Sequence, residues 1–384
     1  MPDLDSEWVT RAAAKHRGRL ERDLEALVAV SSPSGDVSGA EEAIAVASAL
    51  LPAEARIERP PCSSAGHAPD LCARLDGTGE GRVVLLGHLD TVHAHGDHRS
   101  VERAGDRLVG SGTIDMKGGV AISLAVMHAL AATGDAFAEI ALLLVVDEEW
   151  RTGAFSHGPS FAGWDACLCF EAGERGPNDE AAVVLRRKAA GTLRVRAKGR
   201  AAHSGAAPER GRSALLPLAA VAERVAALHD PAGPYRLSAV PTVFNAGDAF
   251  NVVPAEGELV CDLRADHLGA FEPVLAAVPQ GEDGVTIEAE IVRRWPGMDT
   301  RDTAAELLER ASELAARPVL GSERGGASDA SHLAEHVPLT VDGLGPLGGR
   351  AHAPDEFVRP DSLGPRLEVA LAMAAAALSP GGAA

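Results

Sequence analysis

Acidic and histidine side chains cluster directly after three short apolar runs of this sequence, at 82–87, 140–146 and 166–170. Histidine and carboxylate side chains together form a ligand set for zinc or a similar first-row divalent ion. Each cluster alone is more often a solvated strand end or a structural histidine, but their recurrence after three runs favours a shared metal site. The residues concerned are His88, Asp90, Asp147, Glu148, Glu149 and Glu171.

A fourth candidate, Asp115, lies in the glycine-rich stretch GSGTIDMKGG at 110–119. Aspartate in such a context is favoured as a cap or turn residue, because its side chain bonds nearby backbone groups. The stretch precedes a helical pattern at 118–134, which Gly134 closes. Asp115 is therefore either a local capping residue or a further metal ligand.

The pattern of strands and helices around these residues predicts an α/β fold. The three apolar runs are typical of strands that helices cover on both faces, as in a mostly parallel central sheet. In such a sheet, ligands bind in the crevice outside the carboxyl ends of the strands, where the candidate residues lie.

The pattern changes near residue 190. The segments 192–197, 258–264 and 285–292 alternate between apolar and polar residues, and helical patterns occur at 215–228 and 268–278. This order predicts a smaller α+β domain at 190–297, inserted into a catalytic domain formed by 1–189 and 298–384. After the insertion, helical patterns at 303–316 and 361–378 return to α/β character.

Composition narrows the classes of partner. A formal charge of -19 removes the electrostatic basis for binding nucleic acid or an anionic membrane surface. We find no signal-peptide pattern and expect a soluble, cytoplasmic protein. The five cysteines are an odd number without zinc-site spacing, so buried free thiols are expected.

Seven motifs follow one another along the chain: GHLDTV, GSGTIDMKGG, DEEW, FEAGE, RAAHSG, FNVVP with CDLR, and GGRAHAPDEFV. In this order they closely resemble the motifs of the dinuclear zinc exopeptidase and deacylase family. That family includes glutamate carboxypeptidases, acetylornithine deacetylases, succinyl-diaminopimelate desuccinylases and aminoacylases. The resemblance runs from about residue 20 to 375.

The resemblance implies two divalent metal ions, Zn²⁺ with Co²⁺ or Mn²⁺ as alternatives. Asp115 would bridge them. Residue by residue, the implied ligands are His88, Asp115 and Glu171 for one ion, and Asp115, Glu149 and His352 for the other.

The same resemblance implies roles for other residues. Asp90 would fix the orientation and tautomer of His88, as metal-bound imidazoles require. Glu148 would be the general base that takes a proton from water and returns it to the departing amine. His203 would stabilise the oxyanion from the neighbouring subunit, which implies a homodimer through the inserted domain; its alternative is a loop histidine that caps a helix.

The resemblance also implies a substrate site for a small molecule or short peptide. Asn251 and Arg264 match positions that contact substrate, and a guanidinium suits a terminal carboxylate because it donates two parallel hydrogen bonds. Gly325 and Gly326 lie in a segment that resembles the family's glycine-rich substrate loop.

The leading hypothesis is a hydrolase that cleaves the amide bond to an amino acid with a free α-carboxylate, most like the glutamate carboxypeptidases. Glu171 favours this side of the family, because relatives that act on free amino-terminal peptides tend to carry aspartate there. The alternatives are a deacetylase or desuccinylase of small acyl groups, and a catalytically silent ligand-binding relative. His93, His95 and His98 match no ligand position and are expected in an exposed loop.

Overall fold

A computed structural model describes residues 4–379 of the chain. The helices within these residues are α1 (Ser6–His16), α2 (Leu20–Val28), α3 (Val37–Ala49), α4 (Gly118–Ala131), α5 (Leu215–Ala227), α6 (Glu272–Ala276), α7 (Ala305–Leu314), α8 (Ala330–Ala334) and α9 (Pro360–Leu378).

The strands are β1 (Arg56–Glu58), β2 (Leu71–Asp76), β3 (Arg82–His88), β4 (Glu102–Ala104), β5 (Arg107–Val109), β6 (Glu139–Val145), β7 (Ala166–Cys169), β8 (Glu174–Arg175), β9 (Ala181–Arg187), β10 (Ala189–Lys198), β11 (Ser238–Ala246), β12 (Glu256–Ala265), β13 (Gly281–Glu282), β14 (Val285–Trp295), β15 (Met298–Asp299), β16 (Val319–Arg324), β17 (Thr340–Val341), β18 (Gly348–Gly349) and β19 (Phe357–Val358).

The chain forms two compact units. Unit 1 contains the residues before 187 together with 299–323 and those from 328 onward, and unit 2 contains 187–298 with 324–327. The domain boundaries expected from the sequence lie after residues 189 and 297. The division into a catalytic domain and a lid domain at these positions stays a prediction.

Unit 1 is built on a six-stranded sheet with the order β1-β2-β6-β3-β7-β17. Strands β6, β3, β7 and β17 run parallel to one another, whereas β2 pairs antiparallel with both β1 and β6. The continuous valine and leucine runs of β3 and β6 are fully buried, as expected for strands covered on both faces. The predicted α/β class with a mostly parallel central sheet is confirmed.

Helices α4 and α9 pack against β3 and supply much of the core of unit 1. Alanine is the most frequent residue of both helices. The segment Thr113–Ala131 is long and apolar enough to cross a membrane by composition, but 83% of it is buried inside the protein. That burial is typical of a central core helix.

Unit 2 is an antiparallel sheet with the order β11-β12-β10-β14-β13, and α5 packs on one face of it. Alternate residues of β10 and β12, such as Leu193 and Cys261, are directly opposite each other and fully buried. Leu218, Val221 and Val225 form the buried stripe of α5. The predicted helix at 268–278 is instead a 3-10 turn at Leu268–Phe271 followed by the short α6.

Candidate metal centre

The ends of three neighbouring parallel strands bring the predicted ligands together. His88 is the last residue of β3, Glu148 and Glu149 follow β6, and Glu171 follows β7. Because β6, β3 and β7 are adjacent and parallel, their carboxyl ends lie at one edge of the sheet. The local strand patterns therefore place these side chains in a common crevice of unit 1.

Asp115 reaches the same crevice from the loop before α4. Gly112, with φ +72°, turns the chain, and the helix then starts at Gly118. A Cβ atom on Gly119 would lie 1.8 Å from the carbonyl oxygen of Phe170, the residue before Glu171. Glycine at 119 thus permits the start of α4 to pack against the end of β7, which brings Asp115 close to Glu171.

One carboxylate lies between two histidines. Asp115 Oδ1 lies 3.1 Å from His88 Nε2, and Asp115 Oδ2 lies 3.1 Å from His352 Nε2. His88 Nε2 is also 3.7 Å from Glu171 Oε1, and His352 Nε2 is 3.2 Å from Glu149 Oε2. Ligand atoms of His88, Asp115 and Glu149 all lie within 4.8 Å of one another.

This donor set fits divalent metal ions of the zinc type. Two imidazole nitrogens and several carboxylate oxygens converge, and imidazole with carboxylate suits first-row divalent ions. The close pairs fall into the two groups named from the sequence, with Asp115 common to both. Their assignment as ligands remains a prediction.

Asp90 holds both His88 and the segment after β6. His88 Nδ1 lies 3.0 Å from the backbone oxygen of Asp90 and 3.4 Å from its Oδ1. The two carboxylate oxygens of Asp90 also accept hydrogen bonds from the backbone N–H groups of Glu148 and Glu149, at 3.2 and 3.1 Å. With its proton on Nδ1, His88 presents the lone pair of Nε2 to the crevice.

Burial and neighbouring charges shift the pKa values of several groups in the crevice. Burial raises the pKa of Glu148 well above its ordinary value, and the negative charges of Asp329, Glu171 and Glu149 add to this rise. Burial likewise raises the pKa of Glu149. Hydrogen bonds to Asp115 and Glu149 raise the pKa of His352 to about 10. A bound cation opposes such shifts, because it favours the deprotonated form of each ligand.

The predicted residues of unit 2 do not all lie together within that unit. His203 and Asn251 are on paired segments, where Ser204 N–H donates to the backbone oxygen of Asn251 at 3.0 Å. Arg264 is on β12, where its Nε lies 3.0 Å from Asp262 Oδ2. Gly325 and Gly326 are on a separate segment of unit 2, and Arg187 Nη1 donates to the backbone oxygen of Gly326 at 3.0 Å.

The ring of exposed His203 has a defined tautomer. Its Nδ1 accepts hydrogen bonds from the backbone N–H groups of Gly205 and Ala206, at 3.1 and 3.2 Å. A nitrogen that accepts two such bonds carries no proton, so the proton of the neutral ring is on Nε2. His203 therefore presents an N–H donor, as stabilisation of an oxyanion requires.

The expected exposed loop for His93, His95 and His98 is wrong for His93, which is buried, and for His98, which is half-buried with both ring nitrogens shielded from solvent. The side chain of His93 is only 9% exposed, and its Nε2 lies 3.2 Å from Oε2 of buried Glu356. His95 is exposed as expected, with 58% of its side chain accessible. No sequence pattern indicates the contact of His93 with Glu356, because the two residues are 263 positions apart.

Known proteins share the sequence and the fold over most of the chain. Residues 84–376 match the model of "Peptidase family M20/M25/M40". The chain is 26% identical to carboxypeptidase G2 of Pseudomonas sp. (strain RS-16), over 89% of this chain and 85% of that protein. It is 30% identical to succinyl-diaminopimelate desuccinylase of Rhodospirillum rubrum, over 87% of this chain and 92% of that protein. A tripeptidase from Staphylococcus aureus has the same fold, with a TM-score of 0.74 at 17% identity, over 94% of this chain and 98% of that chain.

Proposed function

The chain belongs to peptidase family M20/M25/M40 and is a metal-dependent hydrolase, and we propose that its substrate is an amino acid with a free α-carboxylate whose nitrogen carries an acyl or peptidyl group. The observation that carries the proposal is the position of Asp115, whose two oxygens face His88 and His352 separately. That arrangement suits a carboxylate shared by two metal ions.

We infer that two ions, Zn²⁺ with Co²⁺ or Mn²⁺ as alternatives, are held by His88, Asp115 and Glu171 and by Asp115, Glu149 and His352. When bound, such ions polarise a carbonyl group and lower the pKa of water. The residues of this chain then position the reactants and move the proton.

Glu148 is placed to move that proton. It is adjacent to Glu149, and the Asp90 carboxylate accepts hydrogen bonds from the backbone N–H groups of both residues, so the backbone of Glu148 is fixed beside the ligands. A carboxylate within reach of the reacting atoms can both accept a proton and return it. Glu148 accepts a proton from the attacking water and delivers it to the nitrogen of the leaving amino acid.

For residues of unit 2 we propose the roles that the family resemblance implies. The Nε2–H of His203 donates to the carbonyl oxygen as negative charge develops there, and Asn251, Arg264, Gly325 and Gly326 bind the substrate. Arg264 would exchange its contact with Asp262 for the α-carboxylate, which its guanidinium can bind through two parallel bonds. In this proposal, residues 1–189 and 298–384 are the catalytic domain and 190–297 are a lid and dimerisation domain.

A homodimer through unit 2 is supported by the edge strand β11. This strand ends the sheet of unit 2, and Val243 and Phe244 on it are 45% and 42% exposed. An exposed apolar edge strand is a template for pairing with another chain. Light scattering of Val243→Lys should show monomers where the unaltered protein shows dimers, and a dimer that survives this change together with Phe244→Lys would contradict the proposed interface.

A cytoplasmic location is supported by the thiols. All five cysteines are free, and four of them are buried. Disulfides are rare where cellular reductants keep thiols reduced. Cell fractionation with antibody detection tests the location, and recovery of the protein outside the cytoplasm would contradict it.

The substrate proposal is tested by amino-acid release from a panel. The panel contains N-blocked amino acids, dipeptides, an aromatic acyl-glutamate, acetylornithine and succinyl-diaminopimelate, with Zn²⁺-loaded protein and Glu148→Gln as control. Preference for a bulky acyl group on one amino acid supports the carboxypeptidase type. Preference for succinyl-diaminopimelate or acetylornithine supports the second candidate, which the 30% identity to a desuccinylase favours. If no substrate in the panel is cleaved by the unaltered protein more rapidly than by Glu148→Gln, both the carboxypeptidase and the desuccinylase or deacetylase proposals are wrong.

A further inference from the structure

A buried carboxylate outside the ligand set holds the loop of Asp115. Glu356 is 1% exposed. Its Oε1 accepts hydrogen bonds from the backbone N–H groups of Ile114 and Asp115, at 2.8 and 3.0 Å. Its Oε2 accepts one from Gly112 N–H at 3.1 Å and lies 3.2 Å from His93 Nε2. Three of its four contacts are therefore with the loop that presents Asp115.

The same residue is tied to the segment of His352. It follows His352 by four positions, and its backbone oxygen accepts a hydrogen bond from Gly110 N–H at 3.0 Å. The next residue pairs with Val109 in the contact between β19 and β5. Glu356 thus joins the segment that carries Asp115 to the segment that carries His352, and these two side chains face each other in the crevice.

The backbone around His352 needs such an anchor. Arg350 and His352 have φ angles of +61° and +66°, in the left-handed region that side chains other than glycine rarely adopt. Such conformations persist only where surrounding contacts over-determine them. The four hydrogen bonds of Glu356 and the short β19 strand supply contacts of this kind directly after His352.

We propose that Glu356 is a positioning residue for both metal sites and that His93 fixes the orientation of its carboxylate. Glu356 touches neither substrate nor metal. It acts through Asp115, which it holds by the backbone N–H, and through the chain segment of His352. This proposal rests on the proposed metal centre and assigns to it a support that the ligands themselves do not provide.

Substitution of Glu356 tests the proposal through metal affinity. Glu356→Gln keeps one oxygen acceptor but turns an amide N–H₂ toward Gly112 N–H, and Glu356→Ala removes every acceptor. Residues that orient metal ligands typically contribute about 10-fold to 100-fold in metal affinity. We expect Zn²⁺ affinity, measured by competition with a chromophoric chelator, to fall by roughly that factor in Glu356→Ala and by less in Glu356→Gln. Excess metal should restore much of the turnover.

Two further variants separate positioning from general stability. Asp23→Asn changes another fully buried carboxylate, which pairs with Arg19 and Arg22 and not with the loop of Asp115, and should lower thermal stability without altering Zn²⁺ affinity. His93→Phe keeps a ring but loses one contact of Glu356, and it should weaken Zn²⁺ binding by about 2-fold to 10-fold. This smaller change keeps the proposal testable where Glu356→Ala prevents folding.

The outcomes distinguish this proposal from the proposed function. If the unaltered protein binds no divalent ion in the chelator assay, the proposed metal centre fails. If it binds Zn²⁺ and the folded Glu356 and His93 variants bind equally well, the metal centre stands and the positioning role is wrong. Weaker binding in these variants, with unchanged binding in Asp23→Asn, supports the role.

Discussion

Replacement of Arg151 by methionine should destabilise unit 1 strongly. The Arg151 side chain is 2% exposed and its guanidinium lies between two buried carboxylates. Nη2 is 2.8 Å from Asp147 Oδ1 and 2.8 Å from Asp329 Oδ2, and Nη1 also donates to Asp329. The guanidinium carbon lies 4.9 Å from the centre of the Phe155 ring. Methionine fills much of the same space but leaves both carboxylates without their cation.

The expected loss can be worked from these contacts. Removal of one partner from a buried ion pair costs about 3–5 kcal/mol, because the remaining charge stays buried. Loss of the cation–π contact adds about 0.5–1 kcal/mol. Methionine regains part of this through its apolar contacts, so we expect the free energy of unfolding to fall by roughly 4 kcal/mol.

Urea unfolding in the presence of a metal chelator measures this loss without a contribution from bound metal. Tryptophan fluorescence and circular dichroism should be followed together, because coincident transitions justify a two-state free energy. Arg301→Met is the matched control, since it removes an arginine from an exposed pair with Asp299 and should leave the midpoint unchanged.

A second substitution checks the cause. Asp329→Asn in the Arg151→Met background leaves one buried charge instead of two and should recover about half of the lost free energy. A loss below about 1 kcal/mol in Arg151→Met, as for a solvent-exposed pair, would refute the reasoning.

Three other predictions concern catalysis, assembly and pH. Glu148→Gln should lower kcat by about 10²-fold to 10⁴-fold while the content of bound metal, measured by elemental analysis, stays the same; loss of the metal with the activity would show that Glu148 is a ligand instead. Mixed dimers of Glu148→Gln and His203→Ala should regain about a quarter of the unaltered activity, because half of the dimers then hold one complete site; no regain on exchange of subunits would place His203 in its own subunit's site. Burial lowers the pKa of His16 from 6.5 to about 4. The contribution of neutral His16 to the free energy of unfolding is therefore fully present above pH 6.5 and is lost as the pH falls toward 4. His16→Leu should flatten this part of the dependence of Tm on pH, and an unchanged slope would contradict the assignment.

The sequence predicted the parts of the fold that depend on local pattern. Continuous apolar runs identified β3, β6 and β7, and the order of motifs led to the residues that meet at their ends. The antiparallel strands β1 and β2 were not anticipated, because LCARLD at 71–76 is short and includes an arginine. The 268–278 segment has a helical pattern, but its structure changes from 3-10 to α at Glu272, next to Pro273.

The contacts that support the candidate site could not be predicted in this way. His93 meets Glu356 across 263 positions, and Arg151 meets Asp329 across 178 positions. Neither pair leaves a periodic pattern, and each partner alone is a common polar residue. Their burial results from tertiary packing, so only the three-dimensional structure reveals that these side chains are shielded from water.

The division of unit 1 by the insertion has a consequence for biosynthesis. His88, Asp115, Glu149 and Glu171 are synthesised before Arg187–Met298, whereas His352 and Glu356 follow that segment. About 180 residues separate Glu171 from His352, so at roughly 5–20 residues per second the crevice stays incomplete for about 10–40 s of translation. During that interval the nascent chain has His88 and the carboxylates but lacks His352 and Glu356. Completion of the proposed metal centre therefore comes late in synthesis, after the whole inserted segment has left the peptidyl-transferase centre.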